Sequence, residues 1–350
     1  MGAHQDNPPQ APVEAWLRAG DWPRVHAHFQ RHPPDTAAGF EARALALIQS
    51  SPSAEQRRQA IADLQQAVAL KPDHLLYRAN LTQALIDLPR PAEAVQAAQA
   101  MLARWPDSAI AAEKHCLALH AAGRWNEALQ AALRAEALAQ RHGSAPPEPL
   151  RRAVAELASR WWEPLTLGGI TLRLPTGADQ PFIHACFSDA AFMARYHRFQ
   201  RHDESSIAEF VRRASRRPAA TGRHEWIVLD RGGQPAGLTA LVDIDLGHRR
   251  GELLVGLPRP SDSANLALKA ALAAMVFGFE RLSLEKLVSY VYGDNPWAQR
   301  NTRHLGFTEE GLLRAHLLIG NQRLDLRVNG LLSTEFAADQ RLQRMRARWT

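Results

Sequence analysis

A chain of 350 residues, 46% of them apolar, exceeds one ordinary domain and has enough apolar side chains to bury two cores. Its net charge of +6 is carried by the C-terminal half, because the first 165 residues balance basic against acidic groups; no run there interleaves basic with aromatic residues, which argues against a nucleic-acid surface. Two cysteines, Cys116 and Cys186, exclude a disulfide framework and a zinc-ligand pattern, and no eighteen-residue apolar run marks a membrane span.

The opening MGAHQDNPPQAP lacks a basic region followed by an apolar run, so the expectation is a soluble, cytoplasmic chain with no metal, nucleic acid or membrane among its partners. Beyond it a period emerges. KPDH at 71–74 and WPDS at 105–108 set Pro72 and Pro106 apart by 34 positions. Three further columns keep that step: Ala60, Ala94 and Ala128; Leu64, Ala98 and Ala132; Ala67, Met101 and Ala135. Small residues at a fixed step let two antiparallel helices cross closely, and proline ends the second helix of each pair.

These columns resemble the tetratricopeptide repeat, with units at 41–74, 75–108 and 109–142. An irregular pair precedes them, since AGDW at 19–22 echoes AGRW at 122–125 and SSPSAEQRR at 50–58 breaks the spacing. PEPLRRAVAELASRWW at 147–162 is predicted to cap the stack. The resemblance implies a concave face that receives a protein partner; a packing module stands beside that reading.

After Trp162 the period changes from helical to alternating. GGITLRLPTGADQPFIHACF at 168–187 predicts a strand and then a helix opened through Pro175, Thr176 and Asp179, with further helix over 182–217. The basic cluster RRASRRP at 212–218 reads as a solvated helix end. Strands are predicted at EWIVLD (225–230), PAGLTALVDID (235–245) and RGELLVGL (250–257). A long helix over 263–280, a strand over 284–293, a helix over 296–304 and the strands GLLRAHLLIG and QRLDLRVNGLL follow. The expected fold class is an all-α helical repeat followed by an α/β domain with a mixed, largely antiparallel sheet. The predicted boundaries are 1–162, 163–338 and a basic C-terminal tail, 339–350.

This order, with NPWAQRNTRHLGFTEEGLLR at 295–314, resembles the GNAT family of acyl-CoA-dependent N-acyltransferases through Asn295, Ala298, Gly306, Phe307, Glu310, Gly311 and Arg314. GLTALVDIDLGHRRGELLVGL resembles the central strands of the branch that acetylates ribosomal-protein N-termini or amino sugars. The resemblance implies acetyl-CoA, or another acyl-CoA, as co-substrate and a primary amine of a protein, peptide or amino sugar as acceptor. It also implies a cofactor cleft between strands 251–257 and 285–293, where Val255 and Leu257 meet the pantetheine arm and Asn295 bonds its amide. Asn295 followed by Pro296 equally reads as a helix cap.

Members of the family carry a glycine-rich pyrophosphate loop, and here the corresponding segment is RPSDSANLAL. Without glycine, the loop's anion site rests on backbone amides with Arg259, Ser261, Ser263, Ala264 and Asn265, while Asp262 at the first glycine position opposes a phosphate. For chemistry, Glu252 is the candidate base, or else a strand-pairing side chain. Asp243 and Asp245 are candidates for holding a cationic amine, or else loop caps. Thr302 occupies the position of the family's thiolate-protonating tyrosine, so either Tyr292, with His316 in reserve, is the candidate acid, or the thiolate leaves to solvent. A second function class follows from the loop and Thr302 together: a catalytically silent domain serving as a scaffold for the helical array.

Overall fold

The computed structural model describes residues 11–50, 53–196, 204–258 and 265–349. The chain divides into two compact units after Ala158. The first is helical, and its helices repeat with the step read from the sequence. Leu75–Asp87 and Ala109–Ala121 begin 34 residues apart, as do Pro91–Arg104 and Trp125–Arg141. The caps keep the same step: the His74 ring accepts the N–H of Tyr77 and the Ser108 hydroxyl accepts that of Ala111. All nine residues of the three columns are at most 1% exposed. A side chain larger than the native one at an alanine column would therefore separate two helices.

One buried carboxylate ties the first repeat together. Asp63 on Ala54–Leu70 is 1% exposed and takes a two-pronged bond from Arg43 on Ala37–Gln49, at 2.6 and 2.7 Å, plus a third from Gln59 at 2.8 Å. Cys116 is buried, and its burial, with Glu113 and Glu136 nearby, pushes the thiol up to about 12. That removes it as a nucleophile.

The second unit is built on an eight-stranded sheet: β1 (Leu165–Leu167), β2 (Ile170–Arg173), β3 (His224–Leu229), β4 (Pro235–Asp245), β5 (Arg250–Gly256), β6 (Lys286–Tyr292), β7 (Thr308–Ile319) and β8 (Gln322–Leu332). Their order across the sheet is β1-β2-β3-β4-β5-β6-β8-β7, and every pair is antiparallel except β5–β6. The expected mixed, largely antiparallel fold class is the one observed. β1 was not expected; Gly168 and Gly169, both at positive φ, turn the chain there and make a hairpin of what reads as one strand.

Helices cover both faces. Alternation along β3 sends Trp226 to Phe277 on one side and Ile227 to Ile183, Phe192, Tyr196 and Phe210 on the other. Trp161 is 1% exposed and meets the ring of His224 edge-on at 6.0 Å. The predicted helix over 263–280 is a regular helix Leu266–Val276 that widens to a π turn at Phe277–Arg281. The predicted basic tail is a helix, Gln340–Trp349, seated by buried Leu342.

Candidate active site

Sheet registry creates the site. β5 and β6 pair as Arg250↔Lys286, Gly251↔Leu287 and Glu252↔Val288, and no further pair joins them among the described residues. Their outer neighbours hold on much longer. β4 stays paired with β5 to Gly256, and β8 stays paired with β6 to Tyr292. The two strands therefore part beyond Glu252, leaving a wedge in the middle of the sheet.

Side chains fix which backbone groups line that wedge. The Thr239 hydroxyl donates to the carbonyl of Leu254 at 2.8 Å, so Leu254 faces β4, and alternation turns the backbone of Leu253 and Val255 toward the gap. Likewise Asn329 Nδ2 donates to the carbonyl of Ser289 at 3.1 Å, so Ser289 faces β8 and Tyr290 and Tyr292 present their backbone to the gap. Asn329 is fully buried and also bonds Gln299 at 2.8 Å, which fastens helix Pro296–His304 beside β6.

A cavity of about 180 Å³ fills the wedge. Glu252, Leu253, Leu254 and Val255 line it from β5, and Ser289 to Tyr292 from β6. Ala267 and Ala271 close it from helix Leu266–Val276, and Ala298, Asn301 and Thr302 from helix Pro296–His304. On the opposite face Arg195 and Tyr196 bound it. Because the strands have parted, one cavity reaches both faces of the sheet. Gly256 marks the wall: a Cβ there would lie 2.5 Å from the Tyr196 ring and 2.7 Å from that of Phe192, so glycine lets the stacked pair lie directly on the strand.

Glu252 sits where the strands separate. Burial, reinforced by the charge of Asp243 and partly offset by Arg223, pushes its carboxyl up to about 7. Such a group accepts a proton near neutrality, which a free carboxylate does poorly. Asp243 has φ of +48° where the β4–β5 register slips between Val242 and Asp245, and that bulge brings its charge close to Glu252. Asp245 is a loop cap, accepting the N–H of His248 at 2.9 Å.

The structure thus brings Glu252, Val255 and Tyr292 to one cavity. Leu257 and Asn295 are not among its lining residues: Leu257 packs over Gly237, and Asn295 Oδ1 accepts the N–H of Ala298 at 3.1 Å as a helix cap. Asn265, at φ of +73°, begins helix Leu266–Val276 and lines a neighbouring groove. Arg259, Ser261, Ser263 and Ala264 lie outside the described residues. His316 is exposed on β7 and does not line the cavity. Sequence reasoning missed Tyr196, Asn301 and the Gln299–Asn329 pair; the pair spans 30 positions and carries no local signal. Among the described residues no group of three or more His, Cys, Asp or Glu is placed to hold a metal, and no helix is long and apolar enough to cross a membrane.

Residues 170–308 match the family model of the acetyltransferase (GNAT) domain. The spermidine N(1)-acetyltransferase of Escherichia coli (strain K12) is 38% identical over 95 residues, which are 27% of this chain and 51% of that protein. The same enzyme of Escherichia coli O157:H7 matches to the same extent, so the chain spans about half the length of these curated relatives. Among solved structures, spermidine N-acetyltransferase from Vibrio cholerae in complex with CoA and spermine covers 48% of this chain and 98% of its own, at 22% identity and a TM-score of 0.44.

Proposed function

We propose that the second unit is an N-acetyltransferase that moves an acetyl group from acetyl-CoA to a primary amine. The observation that carries this reading is the wedge between β5 and β6 with Glu252 at its apex. An extended amide chain such as the pantetheine arm of coenzyme A can bond the unpaired edges of Val255, Tyr290 and Tyr292 as a short extra strand. The cavity is lined from both faces of the sheet, so donor and acceptor can meet at one point between them.

In the reaction the amine nitrogen bonds to the thioester carbon, the carbon–sulfur bond breaks, and the amine proton is removed. Glu252 accepts that proton. The gap-facing N–H of Val255 is placed to bond the carbonyl oxygen as negative charge gathers on it. Tyr292 lines the cavity as the acid that returns a proton to the sulfur. Thr302 lines it too, but an alcohol is too weak an acid for that step.

The acceptor we infer is a cationic amine. Asp243 and Glu252 together draw positive charge to the apex, and the name of the curated relatives, spermidine N(1)-acetyltransferase, favours a polyamine over a protein N-terminus or an amino sugar. The helical unit is read as a tetratricopeptide-like array for a protein partner, supported by its 34-residue step and buried columns. Release of free thiol from acetyl-CoA, measured with spermidine, a free-amine peptide and glucosamine in turn, tests the activity and ranks the three acceptor classes. Absence of release with all three would sink the acetyltransferase reading and turn attention to the helical array as the functional part.

A further inference from the structure

A second groove, of about 740 Å³, lies between helix Gln340–Trp349 and the start of helix Leu266–Val276. Arg341, Arg344 and Arg348 line it at steps of three and four residues, which put them on one face of the C-terminal helix. Only Arg341 has an acidic partner among the described residues, Asp339 at 3.2 Å. Arg344 and Arg348 are exposed, and Arg344 uses its Nε only on the carbonyl of Gln340. Among the described residues no carboxylate lines the groove.

The helix carrying these arginines is docked along its length. Leu342 is fully buried and touches the position of Gly306, Arg341 bonds the carbonyl of His304, and the carbonyl of Trp349 accepts the N–H of Gly168 at 2.5 Å. The Lys269 ammonium lies 5.4 Å from the centre of the Trp349 ring. Opposite stands the first turn of helix Leu266–Val276, whose unsatisfied N–H groups favour negative charge. Leu268 lines both this groove and the cavity between β5 and β6, so the two spaces meet at one side chain.

We infer that Arg344 and Arg348 of the C-terminal helix, with Arg341 beside them, bind the phosphate groups at the nucleotide end of coenzyme A. This proposal rests on the acetyltransferase reading of the neighbouring cavity. It supplies cationic side chains to a domain whose segment RPSDSANLAL holds no glycine. The pantetheine arm then runs past Leu268 into the wedge, and the diphosphate and 3′-phosphate remain among the arginines.

The test uses the full chain, its R344A/R348A variant and its R344K/R348K variant. Calorimetry reads coenzyme A affinity, and turnover is compared between acetyl-CoA and S-acetylpantetheine, which lacks the phosphates. Both arginines are exposed, so matched thermal unfolding will verify that the variants fold. The alanine variant is expected to raise Kd and KM for the CoA forms by about tenfold or more while leaving kcat/KM for S-acetylpantetheine within about twofold. The lysine variant is expected to restore most of the affinity, because a phosphate accepts a point charge as well as a fork. Binding to the parent chain with unchanged affinity in the alanine variant would overturn the role of the helix and leave the acetyltransferase reading standing. A parent chain that binds no coenzyme A at all would overturn both.

Discussion

Replacing Glu252 by glutamine tests the apex of the wedge on two independent readouts. Its carboxyl stands at about 7 against an ordinary 4.5, so the folded protein holds a proton that the unfolded chain releases earlier. Below about pH 4.5 both states are protonated and the group costs nothing. As pH rises from there to about 7, stability falls by about 1.4 kcal/mol per unit, and the loss is then complete at about 3 kcal/mol. Glutamine keeps the shape and has no proton to lose. Urea unfolding of parent and variant should therefore coincide near pH 4.5 and diverge above it, with the glutamine variant more stable by up to about 3 kcal/mol at pH 8. Activity should move the other way. In the parent, kcat/KM should rise with pH through an inflection near 7 and level off above it, whereas the variant loses about a hundredfold or more and the inflection with it. Asp243→Asn should shift that inflection downward, since the charge of Asp243 is the second cause of the raised value. A stability difference that stays flat between pH 5 and pH 8, or an unchanged inflection in the glutamine variant, would refute the assignment.

Three further outcomes follow from the packing. Gly256→Ala places a methyl 2.5 Å from Tyr196, and denaturant unfolding should report a loss of about 1–3 kcal/mol together with a weaker acceptor KM. Asp63→Ala strands Arg43 in a largely buried position, and the helical unit should lose about 3–5 kcal/mol in a melt followed by helical circular dichroism. Asn329→Leu leaves the amide of Gln299 and the carbonyl of Ser289 without their shared partner. Hydrogen exchange should speed up in helix Pro296–His304 and in β6, and stability should fall by about 1–3 kcal/mol.

Local patterns made much of the fold legible. A fixed 34-residue step in buried, mostly small residues exposed the helical array, because close helix crossings favour small side chains at those columns. Apolar runs bounded by turn residues gave β3 to β5, and Pro296 after Asn295 announced a helix that begins at that proline. The missed elements had weak or misleading local signals. β1 is three residues long and joined to β2 through two glycines that look like a strand edge. The helix Gln340–Trp349 is so rich in arginine that its apolar stripe, Leu342, Met345 and Trp349, is easily passed over. Of the residues that line the cavity, Glu252, Val255 and Tyr292 stand on strands legible in the sequence, whereas Tyr196 comes from a helix more than fifty residues before β5 and has no sequence cue linking it to Glu252.

The wedge is a property of the protein rather than of its ligand. Two strands that start as a parallel pair would ordinarily zip onward, because each further pair satisfies groups that otherwise face the gap. Here each strand is claimed by its other neighbour. β5 is held to β4 as far as Gly256, where Tyr196 and Phe192 press on the bare glycine and Thr239 anchors Leu254. β6 is held to β8 as far as Tyr292, with the buried Gln299–Asn329 pair fixing Ser289. The alanines at 267 and 271 leave the space between them open. A cleft maintained by such partners does not have to be opened by the molecule that enters it, so little of that molecule's binding energy is diverted into reorganising the sheet. The same rigidity holds Glu252 where the strands part, in a cavity lined by Tyr196 from one face of the sheet and by Ala267 from the other.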